Sequence, residues 1–173
     1  NQLELLYWEG SVTMKITDVR VEHYRWPKTK PIANGKHTYT HNDLNLLVID
    51  TDEGITGYGC SWAIEFAESM GKAIIGMDPL CNEQIFAKTY VPKFIGRRGT
   101  SAKTVSAIDM AVWDIKAKAA NLPLYKLLGG ARDRVDCYVA GGYYAPGKGI
   151  KELQQEMDEY LSWGIHAVKM KVG

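Results

Sequence analysis

The chain has 173 residues, of which 46% are hydrophobic and 24% are charged, and its formal net charge is +1. This composition excludes a disordered or fibrous chain, and the balanced charge excludes the strongly basic surface that binds nucleic acids or anionic membranes. The three cysteines form no CxxC pair and are odd in number, which argues against a secreted disulfide framework. We therefore predict a cytoplasmic globular protein that binds neither nucleic acid nor membrane.

The first predicted elements are three strands that form a short antiparallel meander. The first strand spans residues 16–24 and ends at Trp26-Pro27, because proline cannot continue a central strand. Residues 28–43 are predicted to form a long polar loop, which in a compact domain is usually functional or mobile. Strands over residues 44–50 and 55–59, joined by a tight turn, complete the meander.

Helices follow the meander, where the spacing of the apolar residues changes from two to about four. They are predicted over residues 64–75, 78–90 and 100–120, and the third is the best defined. Its apolar residues recur on one face: Ala107, Ile108, Ala111, Val112 and Ile115. This helix ends before Pro123, and one further helical turn closes at Gly129-Gly130.

A strand, a helix and a second strand are predicted in the last part of the chain. The strands span residues 135–140 and 165–172, and the amphipathic helix between them spans residues 150–163. This order and spacing are typical of a βαβ unit, so the two strands are expected to lie parallel in one sheet.

The predicted elements divide the chain into an N-terminal extension and two domains. Residues 1–13 are the extension, residues 14–130 form an α+β domain, and residues 131–173 begin an α/β domain. That second domain is far shorter than the about 250 residues of a complete (β/α)₈ barrel. We therefore expect the chain to be the first part of a longer protein.

The Lys169-Met170-Lys171 sequence is the most informative candidate for chemistry. Because side chains alternate along a strand, Lys169 and Lys171 share one face of the predicted strand. Both faces of a covered parallel sheet are normally apolar, so paired lysines indicate the C-terminal end of the strand, where barrel enzymes place their active sites. Two close positive charges favour proton loss from one of them, and a neutral lysine can act as a base. The alternative interpretation is that the two lysines have no catalytic role and lie in water at the end of the strand.

Several segments together resemble the enolase superfamily, specifically its mandelate racemase/muconate lactonizing enzyme branch. The segments are MKITDVRVEHY at residues 14–24, SAIDMAVWDIKAK at 106–118, PLYKLLGG at 123–130 and GIHAVKMKVG at 164–173. The resemblance implies an α+β capping domain, built from the three-stranded antiparallel meander and the helices. It also implies that residues 131–173 are the first strands and helix of a modified (β/α)₇β barrel of the TIM type, incomplete in this chain.

The resemblance also implies a reaction. Members of this branch bind a carboxylate substrate on Mg²⁺, remove the proton α to the carboxylate and stabilise the resulting enediolate. Carried over by position, Lys171 is the catalytic acid/base, and Lys169 holds the carboxylate and favours proton loss from Lys171. The Mg²⁺ ligands come from later barrel strands, so none is assigned before Gly173. Asp109 and Asp114 lie on the long helix of the cap and are interpreted as structural.

Two segments of the capping domain are expected to close over the barrel, as in the family. The first segment is the predicted loop over residues 28–43, which contains His37 and Tyr39. The second segment follows the third strand and contains Trp62. All three residues are predicted to bind the substrate. Tyr143, after the first barrel strand, is the fourth predicted substrate-binding residue. The polar character of the first segment favours a small hydroxylated carboxylate such as a sugar acid. Its alternative interpretation is an exposed loop with incidental polar residues.

We therefore predict a Mg²⁺-dependent acid-sugar dehydratase or racemase that forms a homo-oligomer. A muconate-type cycloisomerase or an epimerase of the same branch remains open, because the two lysines suit those reactions equally. A non-catalytic binding or assembly module is the alternative of another class. We expect the 173-residue chain alone to be inactive, because its metal ligands and its second acid/base are predicted to lie elsewhere.

Overall fold

The structure is a computed structural model that describes residues 13–61, 65–90 and 99–172. The predicted extension therefore lies outside the described residues, apart from Thr13. In chain order the elements are β1 (Ile16–Ala33), β2 (Thr38–Thr51), β3 (Thr56–Cys60), α1 (Ala67–Lys72), α2 (Asn82–Thr89), α3 (Thr100–Ala119), α4 (Leu124–Leu127), β4 (Val139–Gly141), α5 (Ile150–Ser162) and β5 (Val168–Met170). None of the helices in these ranges is long and apolar enough to cross a membrane.

The chain divides into two compact units. The first holds the described residues up to His23 and those between Leu44 and Gly129. The second holds Tyr24–Asp43 and the described residues from Gly130 onward. The domain limits expected from the sequence, 14–130 and 131–173, stay a prediction.

The first unit is built on a three-stranded sheet in the order β1-β2-β3, which confirms the predicted meander. Strands β2 and β3 run antiparallel, with Leu47 opposite Gly59 and Ile49 opposite Gly57. Leu47 and Ile49 are completely buried, and Ile16 of β1 joins them in the same core. Leu47 and Ile49 thus share the face of the sheet that lies in the core, and Val48 between them is buried as well.

Helix α3 covers that face, and the predicted apolar stripe is confirmed. All five residues of the stripe are fully buried. The helix lies against β3 at two glycines: a Cβ atom on Gly59 would lie 1.9 Å from the carbonyl oxygen of Ala107, and one on Gly57 would lie 2.2 Å from that of Ala111. These glycines therefore allow direct contact between the backbones of the strand and the helix.

The prediction of a loop over residues 28–43 is wrong, because most of this segment forms a β-hairpin. Strand β1 continues through Pro27 to Ala33 and β2 begins at Thr38. Strand β1 lies at the edge of the sheet, where proline is tolerated because one side of the strand has no neighbour to receive an N–H donor. The tip is closed by Asn34, whose N–H donates to the carbonyl of His37 at 3.0 Å and whose side-chain oxygen accepts from the His37 N–H at 2.8 Å.

Two of the helices are shorter than predicted. The first spans Ala67–Lys72 rather than residues 64–75, of which residue 64 lies outside the described residues. The second begins at Asn82 rather than at Asp78, because the Asp78 carboxylate accepts the N–H of Leu80 at 2.8 Å and holds a turn there.

The second unit contains the predicted parallel pair of strands. Strands β4 and β5 pair in parallel with Val139 opposite Val168 and Gly141 opposite Met170, and α5 lies between them in sequence. Both strands are shorter than the predicted 135–140 and 165–172. No residue of α5 is buried, because a sheet of two short strands offers little apolar surface for a helix to cover.

Candidate active site

The candidate site lies where the two parallel strands of the second unit end. Gly141 ends β4 and is followed after one residue by Tyr143, whereas Met170 ends β5 and is followed directly by Lys171. In parallel strands the carboxyl ends meet at one edge of the sheet, so the fold brings these two segments together. This edge is the position where the sequence predicted catalytic groups.

Lys171 and Tyr143 are in contact at this edge. The Lys171 Nζ lies 5.3 Å from the centroid of the Tyr143 ring, a distance at which an ammonium is attracted to the face of an aromatic ring. Both side chains are half-buried. Together with Lys148 and Met170 they line a cavity of about 280 Å³. Lys169 is exposed and stands opposite Ala140 in the sheet, and in the described part of the chain it does not line that cavity.

A group of polar side chains holds the backbone around Tyr143. Oε1 of Glu156 accepts the N–H of Gly142 at 3.0 Å and the hydroxyl of Tyr160 at 2.6 Å. Lys148 forms an ion pair with Glu156 and donates to the carbonyl oxygen of Tyr143 at 2.8 Å. Both charged side chains are about one-fifth exposed.

The ionisation of this group follows from its contacts. Burial raises the pKa of Glu156, but the hydrogen bonds from Lys148, Tyr160 and the Gly142 N–H outweigh it and lower that pKa below its ordinary value. Burial and the hydrogen bond to Glu156 raise the pKa of Tyr160 to about 12. At neutral pH the group therefore holds a carboxylate and a neutral phenol.

Sequence reasoning missed Glu156 and Lys148. The spacing of Glu156 and Tyr160 on one helix was a readable signal, because residues four apart are neighbours on a helix surface. The contacts with Gly142 and Tyr143 are not readable in that way, since they depend on how the loop after β4 folds back on α5.

The hairpin of Tyr24–Asp43 is joined to the end of the first barrel strand. Ala33 and Tyr144 exchange two backbone hydrogen bonds, at 2.7 and 2.9 Å. His37 and Tyr39 lie near its tip, are exposed, and have ring centroids 6.4 Å apart. The Tyr39 hydroxyl accepts a hydrogen bond from the Asn34 amide at 3.0 Å. The hairpin thus presents polar rings and is fixed next to Tyr143 through Ala33, the last residue of β1 before the tip.

The remaining sequence candidates have other positions. Trp62 lies outside the described residues. Asp114 accepts the N–H of Tyr58 at 3.0 Å and the ammonium of Lys118 at 2.6 Å, so it joins α3 to the sheet. Asp109 is half-buried on α3, and burial together with the charge of Glu83 raises its pKa. The contacts of Asp114 fit the structural role expected for it.

The described residues do not provide a magnesium site. Among them, no group of three or more His, Cys, Asp or Glu side chains is placed to hold a metal ion. Mg²⁺ prefers several oxygen ligands in octahedral geometry, which the two lysines and two tyrosines at the strand ends do not offer. The described residues therefore do not fit the metal.

Curated relatives of the chain include dehydratases that are named for sugar acids. The chain is 34% identical over 134 residues to an arabinonate dehydratase of Saccharolobus solfataricus, and this alignment covers 72% of the chain and 36% of the relative. It is 33% identical over 164 residues to the L-talarate/galactarate dehydratase of Salmonella typhimurium, covering 85% of the chain and 40% of the relative. The chain thus spans less than half the length of these relatives.

Solved structures have the same fold. The Salmonella typhimurium L-talarate/galactarate dehydratase, crystallised with Mg and L-lyxarohydroxamate, matches with a TM-score of 0.76 and 28% identity over 94% of this chain and 45% of its own. A putative mandelate racemase of Bordetella bronchiseptica matches with a TM-score of 0.80 and 28% identity over 92% of this chain and 44% of its own.

A family model also matches the chain. It describes the N-terminal domain of mandelate racemase and muconate lactonizing enzyme, and it covers residues 16–129, more than half of the sequence. The same residues hold the meander and the long helix that covers it. The chain therefore belongs to the mandelate racemase/muconate lactonizing enzyme family of the enolase superfamily, and contains its capping domain and the start of its barrel.

Proposed function

We propose that this chain is the N-terminal portion of an enzyme that removes the proton α to a carboxylate, and that its substrate is a sugar acid which the enzyme dehydrates or racemises. The observation that carries the proposal is the placement of Lys171. Its ammonium lies at the C-terminal edge of a parallel strand pair, against an aromatic ring. Relatives that cover most of this chain are dehydratases of arabinonate and of talarate or galactarate.

Each site residue has a role that its position supports. Lys171 in its neutral form takes the α-proton and can return it, because its amine is at the edge where a substrate would lie. Tyr143 orients that amine through the contact of its ring. Lys169 holds the substrate carboxylate in this proposal, and its exposure leaves the ammonium free to turn toward an anion.

The hairpin is proposed to recognise the hydroxyl groups of the sugar acid. His37 and Tyr39 bring ring nitrogens and a phenol, which can donate to and accept from hydroxyls. Trp62 is proposed to contribute from the segment after β3. A site that bonds substrate hydroxyls discriminates strongly against acids that lack them, because its own polar groups would then remain unpaired.

Magnesium is proposed as the cofactor on the strength of related structures. Two crystal structures of L-talarate/galactarate dehydratase and one of a dipeptide epimerase from Enterococcus faecalis contain Mg. The described residues do not fit the metal, so its ligands are proposed to come from the chain beyond Gly173. The cytoplasmic location and the homo-oligomeric state also stay predictions.

A cycloisomerase is the second candidate. The D-galactarolactone cycloisomerase of Agrobacterium fabrum is 32% identical to the chain over 168 residues, covering 92% of the chain and 44% of the relative. This sequence alignment covers more of the chain than the two sequence alignments with dehydratases above. Cycloisomerisation uses the same carboxylate and α-proton, so the residue roles would be unchanged.

The experiment is a screen of the complete protein, with Mg²⁺, against a panel of sugar acids and their lactones. Dehydration is detected as a keto acid, and racemisation or cycloisomerisation as a change in optical rotation or proton spectrum without loss of water. Lys171→Met serves as the inactive control, and Lys151→Met, an exposed lysine on α5, as the active one. If no acid is converted and no α-proton exchanges, the chain belongs to a binding or assembly module instead.

A further inference from the structure

The backbone on both sides of Tyr143 is fixed by hydrogen bonds. Before it, the N–H of Gly142 is held by Glu156, and at Tyr143 itself the carbonyl oxygen is held by Lys148. After it, Tyr144 exchanges two hydrogen bonds with Ala33 of the hairpin. Three consecutive residues at the end of the first barrel strand are thus fixed, although they lie outside any strand.

The ion pair of Lys148 and Glu156 connects the first two of these attachments. Each of the two side chains bonds the other and one backbone group of the loop. Their partial burial strengthens the pairing relative to an exposed ion pair. Tyr160 donates a further hydrogen bond to Glu156 and so restricts the rotation of its carboxylate.

Close packing leaves the loop little freedom to move. A Cβ atom on Gly141 would lie 2.6 Å from the Tyr160 ring and 3.0 Å from the Glu156 carboxylate, so α5 lies directly against the strand end. Gly142 has a positive φ of 64°, and a Cβ there would lie 3.0 Å from the side chain of Met170. The two glycines therefore let the loop approach both α5 and the segment that leads to Lys171.

We propose that Lys148 and Glu156 are positioning residues, which fix the backbone at Tyr143 and so hold its ring against the amine of Lys171. The proposal rests on the proposed function in one respect, namely that Lys171 is the group that moves the proton. Neither residue touches the substrate in this account. They act through Tyr143, because within the described part of the chain their hydrogen bonds join the backbone around it, Tyr160 and each other.

The test uses the complete protein and compares Lys148→Met with Lys151→Met. The first substitution removes both hydrogen bonds of Lys148 and preserves most of its apolar bulk, whereas the second removes an exposed lysine of the same region. The first readout is the rate at which acetic anhydride labels Lys171, measured by mass spectrometry of the peptide. We expect labelling to become several-fold faster in Lys148→Met and to stay unchanged in Lys151→Met, because a displaced ring exposes the amine.

The second readout is the rate of α-proton exchange on an accepted acid. We expect Lys148→Met to lower kcat by about 10- to 100-fold with little change in KM, since misplacement by about 1 Å can reduce a rate this much. In a Tyr143→Leu background the same substitution should have no further effect, because Lys148 acts through Tyr143. Lys148→Arg, which keeps the charge, should restore most of the rate.

Each result decides the proposal. Unchanged labelling of Lys171 in a folded Lys148→Met variant overturns it, and so do additive losses in the double variant with Tyr143→Leu. If Lys148→Met does not fold, Glu156→Gln is used, since the amide keeps its size but loses the charge that pairs with Lys148. If the wild-type protein exchanges no α-proton, the proposed function fails, and the labelling experiment alone then decides whether Lys148 holds the ring.

Discussion

Replacing Gly59 by alanine tests how the capping domain is built. The new Cβ atom would lie 1.9 Å from the carbonyl oxygen of Ala107 and 2.8 Å from its carbonyl carbon. Backbone atoms cannot turn aside as a side chain can, so α3 would have to retreat from the sheet by about 1 Å. That retreat loosens contacts along the whole buried stripe, because dispersion falls off steeply with separation.

The expected cost of Gly59→Ala is about 3 kcal/mol, the upper part of the range for overpacked cores. The matched control is Gly54→Ala in the turn before β3, where nothing lies within 4 Å of the new Cβ and the only penalty is a φ of 74°. That penalty is about 1 kcal/mol. Urea unfolding followed by circular dichroism at 222 nm measures both variants. If Gly59→Ala is destabilised no more than Gly54→Ala, α3 does not contact the backbone of β3.

Three further predictions concern pH, a single hydrogen bond and local stability. The hydrogen bond from the Thr56 hydroxyl, helped by Arg20 and opposed by burial, lowers the pKa of Asp50. The ionised Asp50 therefore stabilises the fold fully above the unfolded pKa of about 4, and this stabilisation is lost as the pH falls through the lower pKa of the folded state. The urea midpoint of Asp50→Asn should consequently drop less between pH 6 and pH 3 than that of the wild type. An equal drop in both proteins would contradict this. Asp114→Ala should lower the free energy of unfolding by about 1 kcal/mol, because the Tyr58 N–H loses its acceptor. An unchanged free energy of unfolding in a urea titration would show that Asp114 does not join α3 to the sheet. In the 173-residue chain alone, amide hydrogen exchange measured by peptide should be much slower across α3 than across α5. The reason is that α3 has eight buried residues and α5 has none. Similar protection of the two helices would show that α5 is stable on a sheet of two strands.

The capping domain could be predicted well because its signals are local. The stripe of α3 follows from spacing on one helix, and the turn that joins β2 to β3 follows from adjacent residues of the sequence. The hairpin could not be predicted in the same way. Pro27 and Pro31 argue against a strand unless the strand is known to lie at a sheet edge, and edge position is a property of the whole sheet.

The candidate site could be predicted only in part. Alternation and the family resemblance indicated Lys171 and Tyr143, and the structure brings these two together. The contact tests no role, so all six predicted roles stay predictions: those of Lys169, Lys171, His37, Tyr39, Trp62 and Tyr143. The pairing of Glu156 with Tyr160 could be read from their spacing on α5, but the bonds of Lys148 and Glu156 to the loop could not, because they depend on how the loop returns to α5.

The central claim is that Lys171 moves the α-proton of a carboxylate substrate. The most direct measurement is exchange of that proton in deuterated water by the complete protein, followed by NMR, for the wild type and for Lys171→Ala. General acid/base catalysis by one residue contributes about 10²- to 10⁴-fold, so exchange should fall by at least this factor for one or both configurations at the α-carbon. Circular dichroism should show the variant folded, and Lys151→Ala should exchange normally. Exchange by Lys171→Ala at the wild-type rate for both configurations would contradict the account.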